Sequence, residues 1–89
     1  MFGLFRRPSP QERAKAEVVK EQVRRDLALE DEATVSVSEI DCGDAACPGL
    51  ETVILVMRPG HRTRAFKVAG ALMAIDAAAV TAALSQPET

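Results

Sequence analysis

The sequence predicts a small α+β domain in the order α-β-β-β-α, with a three-stranded antiparallel meander packed against two helices. Two capped helix starts flank three segments whose composition is typical of strands, and the connections between these segments are short. The 89 residues, 47% hydrophobic and 27% charged, exclude collagen, coiled-coil arrays and wholly disordered chains. We expect one domain over residues 9–86, between a flexible tail at 1–8 and a short tail at 87–89.

The first helix is predicted from its capping residues and its hydrophobic spacing. Ser9 can accept a hydrogen bond from the backbone N–H of Glu12, whose side chain can reach back, and Pro10 suits the first helical position. We therefore predict an amphipathic helix from Pro10 to Leu27. Its apolar side chains recur at steps of three and four, at Ala16, Val19, Val23 and Leu27.

Three strands are predicted next. Residues 34–38 alternate polar and apolar side chains, as a strand with one solvated face does. Residues 41–49 contain two Gly, one Pro and two Asp, a composition typical of a loop. Residues 52–57 and 63–68 have the composition of two further strands, with a hairpin turn at 59–62 between them. The short connections favour a meander with the 52–57 strand at its centre.

The second helix is predicted over Ala77–Gln86. Asp76 can cap it, and Ile75 before the cap can pack against Val80 as a hydrophobic staple. Both helices are expected to lie on the sheet, which gives a domain of two layers.

Charges are segregated along the chain, although the formal net charge is only −2. Residues 30–51 carry seven acids and no base, whereas residues 52–68 carry four bases and no acid. RNA-binding proteins usually stack bases on exposed aromatic side chains, whereas this chain has no Trp, no Tyr and only three Phe, two of them in the first five residues. We expect no nucleic-acid partner.

No stretch of the sequence approaches the roughly 20 apolar residues that a membrane span requires. The apolar part of the first seven residues is too short for a secretory signal, which leads us to expect a cytoplasmic protein. The tail carries three large apolar residues, Phe2, Leu4 and Phe5, followed by Arg6 and Arg7. We expect it to be flexible, and the alternative is a weak, reversible contact with a membrane surface.

Cys42 and Cys47 form the one local constellation with metal or redox chemistry. Two thiolates can bind zinc, with His61 as a third candidate ligand, and four intervening residues also allow a disulfide. The alternative is a pair of partly buried thiols that pack the end of the sheet. No cofactor is expected, and zinc stays the alternative.

The segment from Ile40 to Ile54 resembles a Cys-x4-Cys-Pro-x-x-Glu-Thr element that recurs in a family of short, uncharacterised bacterial proteins. The resemblance implies a bacterial source. It also implies that a role shared with that family would lie between Cys42 and Thr52, and it carries no activity with it.

The β-hairpin and the central strand supply candidate partner-binding residues. Arg58, Arg62 and Arg64 surround the turn that contains His61, the chain's single histidine. The 53–57 stretch is apolar at every position, whereas a sheet with one face in water should alternate. We therefore expect an apolar strip on the face opposite the helices. The residues proposed to bind a partner are Arg58, Arg62, Arg64, Val53, Leu55 and Met57.

These observations favour a non-enzymatic protein-interaction module that binds itself or another protein. No nucleophile and base are paired, and no Gly-rich phosphate loop follows a strand, so catalysis is not expected. A thiol-dependent metal-binding or redox protein that uses Cys42 and Cys47 is the alternative function.

Overall fold

The computed structural model describes residues 9–41 and 49–85 and confirms the predicted order α-β-β-β-α. The helices are α1 (Pro10–Asp26) and α2 (Ala77–Leu84). The strands are β1 (Thr34–Asp41), β2 (Leu50–Met57) and β3 (Arg64–Ala69), and a 3₁₀ turn at Leu72–Ala74 precedes α2.

Helix α1 begins with the predicted capping box. The Ser9 hydroxyl accepts from the Glu12 backbone N–H at 3.1 Å, and the Glu12 carboxylate accepts from the Ser9 N–H at 2.8 Å. The helix ends at Asp26, one residue earlier than predicted, because Leu27 is already the C-cap. Both ends of α1 are thus closed by local hydrogen bonds.

The residue that ends α1 in the left-handed conformation is an alanine. Ala28 has φ of 52°, and the backbone N–H groups of Ala28 and Leu29 donate to the carbonyls of Arg25 and Arg24 at 3.2 and 3.0 Å. These two bonds form a Schellman motif, in which Gly is the usual left-handed residue. Leu29 then packs against the core, so the motif turns the chain back toward the sheet.

The three strands form an antiparallel meander in the order β1-β2-β3, which confirms β2 as the central strand. β1 and β2 are longer than predicted, since Glu39–Asp41 pair with Leu50–Thr52 through the backbone. Backbone pairing of this kind does not require alternating side chains, which explains why the sequence pattern missed it. β3 begins at Arg64 and ends at Ala69, one residue later at each end than predicted.

Both helices pack on one face of the sheet and build the core there. Within β2, Thr52, Ile54 and Val56 are almost fully buried on that face. The predicted staple is in place, because Ile75 and Val80 are both buried in the core. Further core residues are Val19 and Val23 of α1, Val35 of β1, Phe66 and Val68 of β3, and Leu72, Ala83 and Leu84.

Two buried polar side chains are satisfied within the core. Gln22 joins the helices, since its Nε2 donates to the Ala77 carbonyl at 2.8 Å and to the Thr81 hydroxyl at 2.9 Å. The Thr52 hydroxyl donates to the Gly70 carbonyl at 3.1 Å and ties β2 to the end of β3. Both side chains therefore fix the packing of the elements they connect.

Helix α2 begins at the predicted cap, where the Asp76 carboxylate accepts from the Ala79 N–H at 2.8 Å. It ends at Leu84 with Ser85 as its C-cap, so it is shorter than predicted, and Gln86 lies outside the described residues. In the part of the chain that the structure describes, neither helix is long and apolar enough to cross a bilayer.

Candidate functional site

The face of the sheet opposite the helices is the candidate site, and we call it the open face. Side chains alternate along each strand, and the strand register places those of one parity on this side. The open face therefore consists of Thr34, Ser36, Ser38 and Ile40 of β1, Glu51, Val53, Leu55 and Met57 of β2, and Ala65, Lys67 and Ala69 of β3.

An apolar strip runs along the middle of the open face. Val53, Leu55 and Met57 are half-buried, whereas the alternate residues of β2 are buried under the helices. The strip sits on the central strand, so its neighbours on both sides partly shield it. No described residue covers it from above, because α1 and α2 both pack on the other face.

The apolar surface extends further than the predicted strip. Ile40, 41% exposed, lies at the end of β1 beside Glu51. Ala65 and Ala69 add small exposed side chains along β3. The parity of β1 could have revealed Ile40, since it is two residues beyond Ser38 on the solvated side.

Two opposite charges lie on the open face. Lys67 pairs with Val53 across the β2–β3 register, and Glu51 pairs with Ala69 at the end of β2. Among residues 9–41 and 49–85, neither the Lys67 ammonium nor the Glu51 carboxylate has a hydrogen-bond or ion-pair partner. Both charges are consequently available to a molecule that approaches this face.

The three predicted arginines differ in their surroundings. Arg58 donates to the Glu30 carboxylate, with Nε 3.1 Å from Oε1, and Arg64 lies over the Phe66 ring at 4.8 Å from its centroid. Both side chains are therefore engaged within the chain, on the side that the helices cover. Arg62 is exposed in the hairpin turn. Of the three predicted arginines, Arg62 is therefore the one exposed in the turn that follows the strip, whereas Arg58 and Arg64 are engaged within the chain.

The pKa of Glu30 lies below its ordinary value. The largest cause is a hydrogen bond from the residue's own backbone, and the hydrogen bond from Arg58 comes second. Burial of the carboxylate opposes these effects, and the charges of Arg58 and His61 lower the pKa further. The ion pair between Glu30 and Arg58 attaches the acidic connector after α1 to the start of the hairpin turn.

The predicted metal ligands are not brought together by the described part of the chain. Cys42 and Cys47 lie outside the described residues. The chain enters and leaves that segment at Asp41 and Gly49, at the opposite end of the sheet from the hairpin turn that holds His61. The seven steps of β2 separate these two ends by about 24 Å. Within residues 9–41 and 49–85, no group of three His, Cys, Asp or Glu side chains could hold a metal ion.

The chain shows no significant similarity to any protein-family model, curated protein or solved structure with which it was compared.

Proposed function

We propose that this chain is a non-enzymatic protein-interaction module whose binding surface is the open face. One observation supports the proposal above all others: the two helices share one side of the sheet and leave the Val53, Leu55 and Met57 strip facing solvent. Burying apolar surface against a partner is favourable by about 25 cal/mol per Å², so such a strip is a source of binding energy.

The borders of the strip suit a protein partner. Thr34, Ser36 and Ser38 line it on the β1 side, and Lys67 lies on the β3 side. An apolar centre inside a polar rim is the usual organisation of a protein–protein interface. The proposal places this contact in the cytoplasm, which is the location that the sequence predicts.

Methionine oxidation can test the proposal, because the chain carries a matched pair of probes. Met57 lies on the open face, whereas Met73, 51% exposed, lies outside it in the 3₁₀ turn. Oxidation by a peroxide follows the exposure of the thioether, so the ratio of the two rates reports coverage of the open face.

We compare the oxidation rate of Met57, divided by that of Met73, in a concentrated extract of the cells in which the protein naturally occurs and in dilute buffer. This ratio should be lower in the extract. Leu55→Thr is the control variant, because it removes the apolar contact while keeping a residue suited to a strand. In that variant the protection of Met57 should disappear. Equal relative rates in extract and in dilute buffer would overturn the proposal.

A further inference from the structure

We infer that the partner of the open face is a second copy of this chain, packed face to face with the strands of the two copies antiparallel. The inference rests on the function proposed above and names the partner. The two-fold axis lies between the two sheets and across the strands, and it passes between the Leu55 side chains of the two copies, Leu55 being the middle residue of the apolar strip.

The strip is built symmetrically around Leu55. Val53 and Met57 lie two residues before it and two residues after it on the same face. In an antiparallel pair, Val53 of each copy faces Met57 of the other, and the two Leu55 side chains meet at the axis. The neighbours of Leu55 in the sheet are Ser36 and Ala65, whose small side chains leave space for the second leucine. Two sheets can then approach to the usual spacing of about 10 Å.

Charges select the antiparallel arrangement. Glu51 lies two residues before Val53, at one end of the strip, and the turn with Arg62 follows Met57 at the other end. When the strands of two copies run antiparallel, the acid of each copy faces the basic turn of the other, and this pairing occurs twice. A two-fold axis parallel to the strands and along β2 would instead bring Glu51 of one copy to Glu51 of the other.

The area of the open face sets the strength of this dimer. Three strands of up to eight residues present a face of about 14 by 27 Å, so two copies bury on the order of 800 Å² in total. Stable interfaces bury more than this, and transient ones lie in this range. The dimer is therefore a weak one that forms and dissociates with concentration.

Sedimentation equilibrium over a wide concentration range, at low and high salt, tests the inference. We expect a monomer–dimer equilibrium that weakens at high salt. Glu51→Arg and Arg62→Glu should each weaken the dimer at least tenfold, because each places like charges in contact twice. An equimolar mixture of the two variants should regain the wild-type association, since in the mixed dimer both contacts again join opposite charges.

The matched controls are Glu21→Arg and Arg25→Glu, which reverse charges at exposed positions of α1. They should leave the association unchanged. A monomer at every concentration, or a dimer that tolerates the charge reversals at both Glu51 and Arg62, would overturn the inference. If Met57 of such a monomer is still protected in extract, the proposed function stands with a foreign partner. If Met57 is not protected there, both fail.

Besides a second copy and a foreign partner, the chain's own N-terminal segment is the third candidate that could cover the open face. Phe2, Leu4 and Phe5 lie outside the described residues, and the full-length variant with all three changed to Ser tests their involvement. Faster oxidation of Met57 at low protein concentration in this variant would assign the open face to that segment and overturn the inference. An unchanged rate supports the second copy.

Discussion

The side chains of Arg58 and Glu30 join two parts of the chain that lie 28 residues apart in sequence, with Nε of the arginine 3.1 Å from Oε1 of the glutamate. Glu30 belongs to the connector after α1, and Arg58 begins the turn between β2 and β3. The pair therefore attaches the helical layer to the hairpin. It also engages the arginine that lies closest in sequence to the apolar strip, whereas Arg62 stays exposed in the turn.

The lowered pKa of Glu30, caused first by a backbone hydrogen bond and then by Arg58, makes folding stability dependent on pH. The pKa of Glu30 in the folded chain is lower than its ordinary value of 4.5, so the folded state favours the ionised carboxylate. The resulting stabilisation is fully present above that ordinary value and is lost as the pH falls through the lowered pKa.

The variant Glu30→Gln should therefore unfold at lower urea concentration than the wild type at pH 7, and the difference should vanish at acid pH. Glu32→Gln, at an exposed neighbouring position, is the control and should behave like the wild type at each pH. A loss of stability in Glu30→Gln that stays constant down to the most acid pH would contradict the assignment of this stability to the ionised Glu30 carboxylate.

Ala28→Gly should stabilise the protein. Ala28 has φ of 52°, a left-handed conformation that costs an L-residue energy and that glycine adopts readily. After subtraction of the greater freedom of glycine in the unfolded chain, we expect a gain of roughly 0.5 kcal/mol. Urea unfolding measures it. Ala14→Gly, at an exposed position inside α1, is the matched control and should lose about 1 kcal/mol. A loss at both positions would refute the Schellman assignment.

Gln22→Leu should destabilise the protein despite the apolar gain. The substitution removes the amide that donates to the Ala77 carbonyl at 2.8 Å and to the Thr81 hydroxyl at 2.9 Å, and so breaks the link between α1 and α2. A hydrogen bond within a folded chain contributes about 0.5–1.5 kcal/mol net, so we expect the free energy of unfolding to fall by about 1 kcal/mol or more. An equally stable variant would show that these two bonds do not stabilise the helix pair. Glu21→Leu, exposed on the same helix, is the control.

Replacing both Cys42 and Cys47 with Ser should reduce stability only modestly and leave self-association unchanged. The reason is that the proposed contact uses the open face and no thiol chemistry. Metal analysis of protein purified without chelator, together with thiol counts before and after reduction, provides the check. Stoichiometric zinc or iron in the native protein would favour the alternative metal-binding function.

Most of the fold could be predicted from short stretches of sequence, because each helix begins at a capping residue whose hydrogen-bond partner lies a few residues away. Ser9 with Glu12, and Asp76, are capping residues that lie within one turn of their partners. The apolar strip was likewise predictable, since an uninterrupted apolar stretch such as 53–57 exceeds what one covered face can bury.

Features that depend on distant contacts were not predictable. Glu39 lies within β1 because backbone pairing extends there, and its carboxylate accepts from the Leu72 N–H at 2.8 Å. The 3₁₀ turn that begins at Leu72 has no side-chain cap of its own, so no capping residue in the sequence predicts it. The division of the hairpin arginines also depended on long-range partners, since Arg58 is held by Glu30 from another part of the chain.

Methyl NMR spectra of the purified protein, recorded over a series of concentrations, test most directly the claim that the open face is the contact surface between copies. We predict that the methyl signals of Val53, Leu55 and Met57 shift progressively as concentration rises. Those of Val18 and Met73, which are exposed outside the open face, should stay in place. The claim would be contradicted if the signals of Val53, Leu55 and Met57 did not move with concentration, whether or not those of Val18 and Met73 moved.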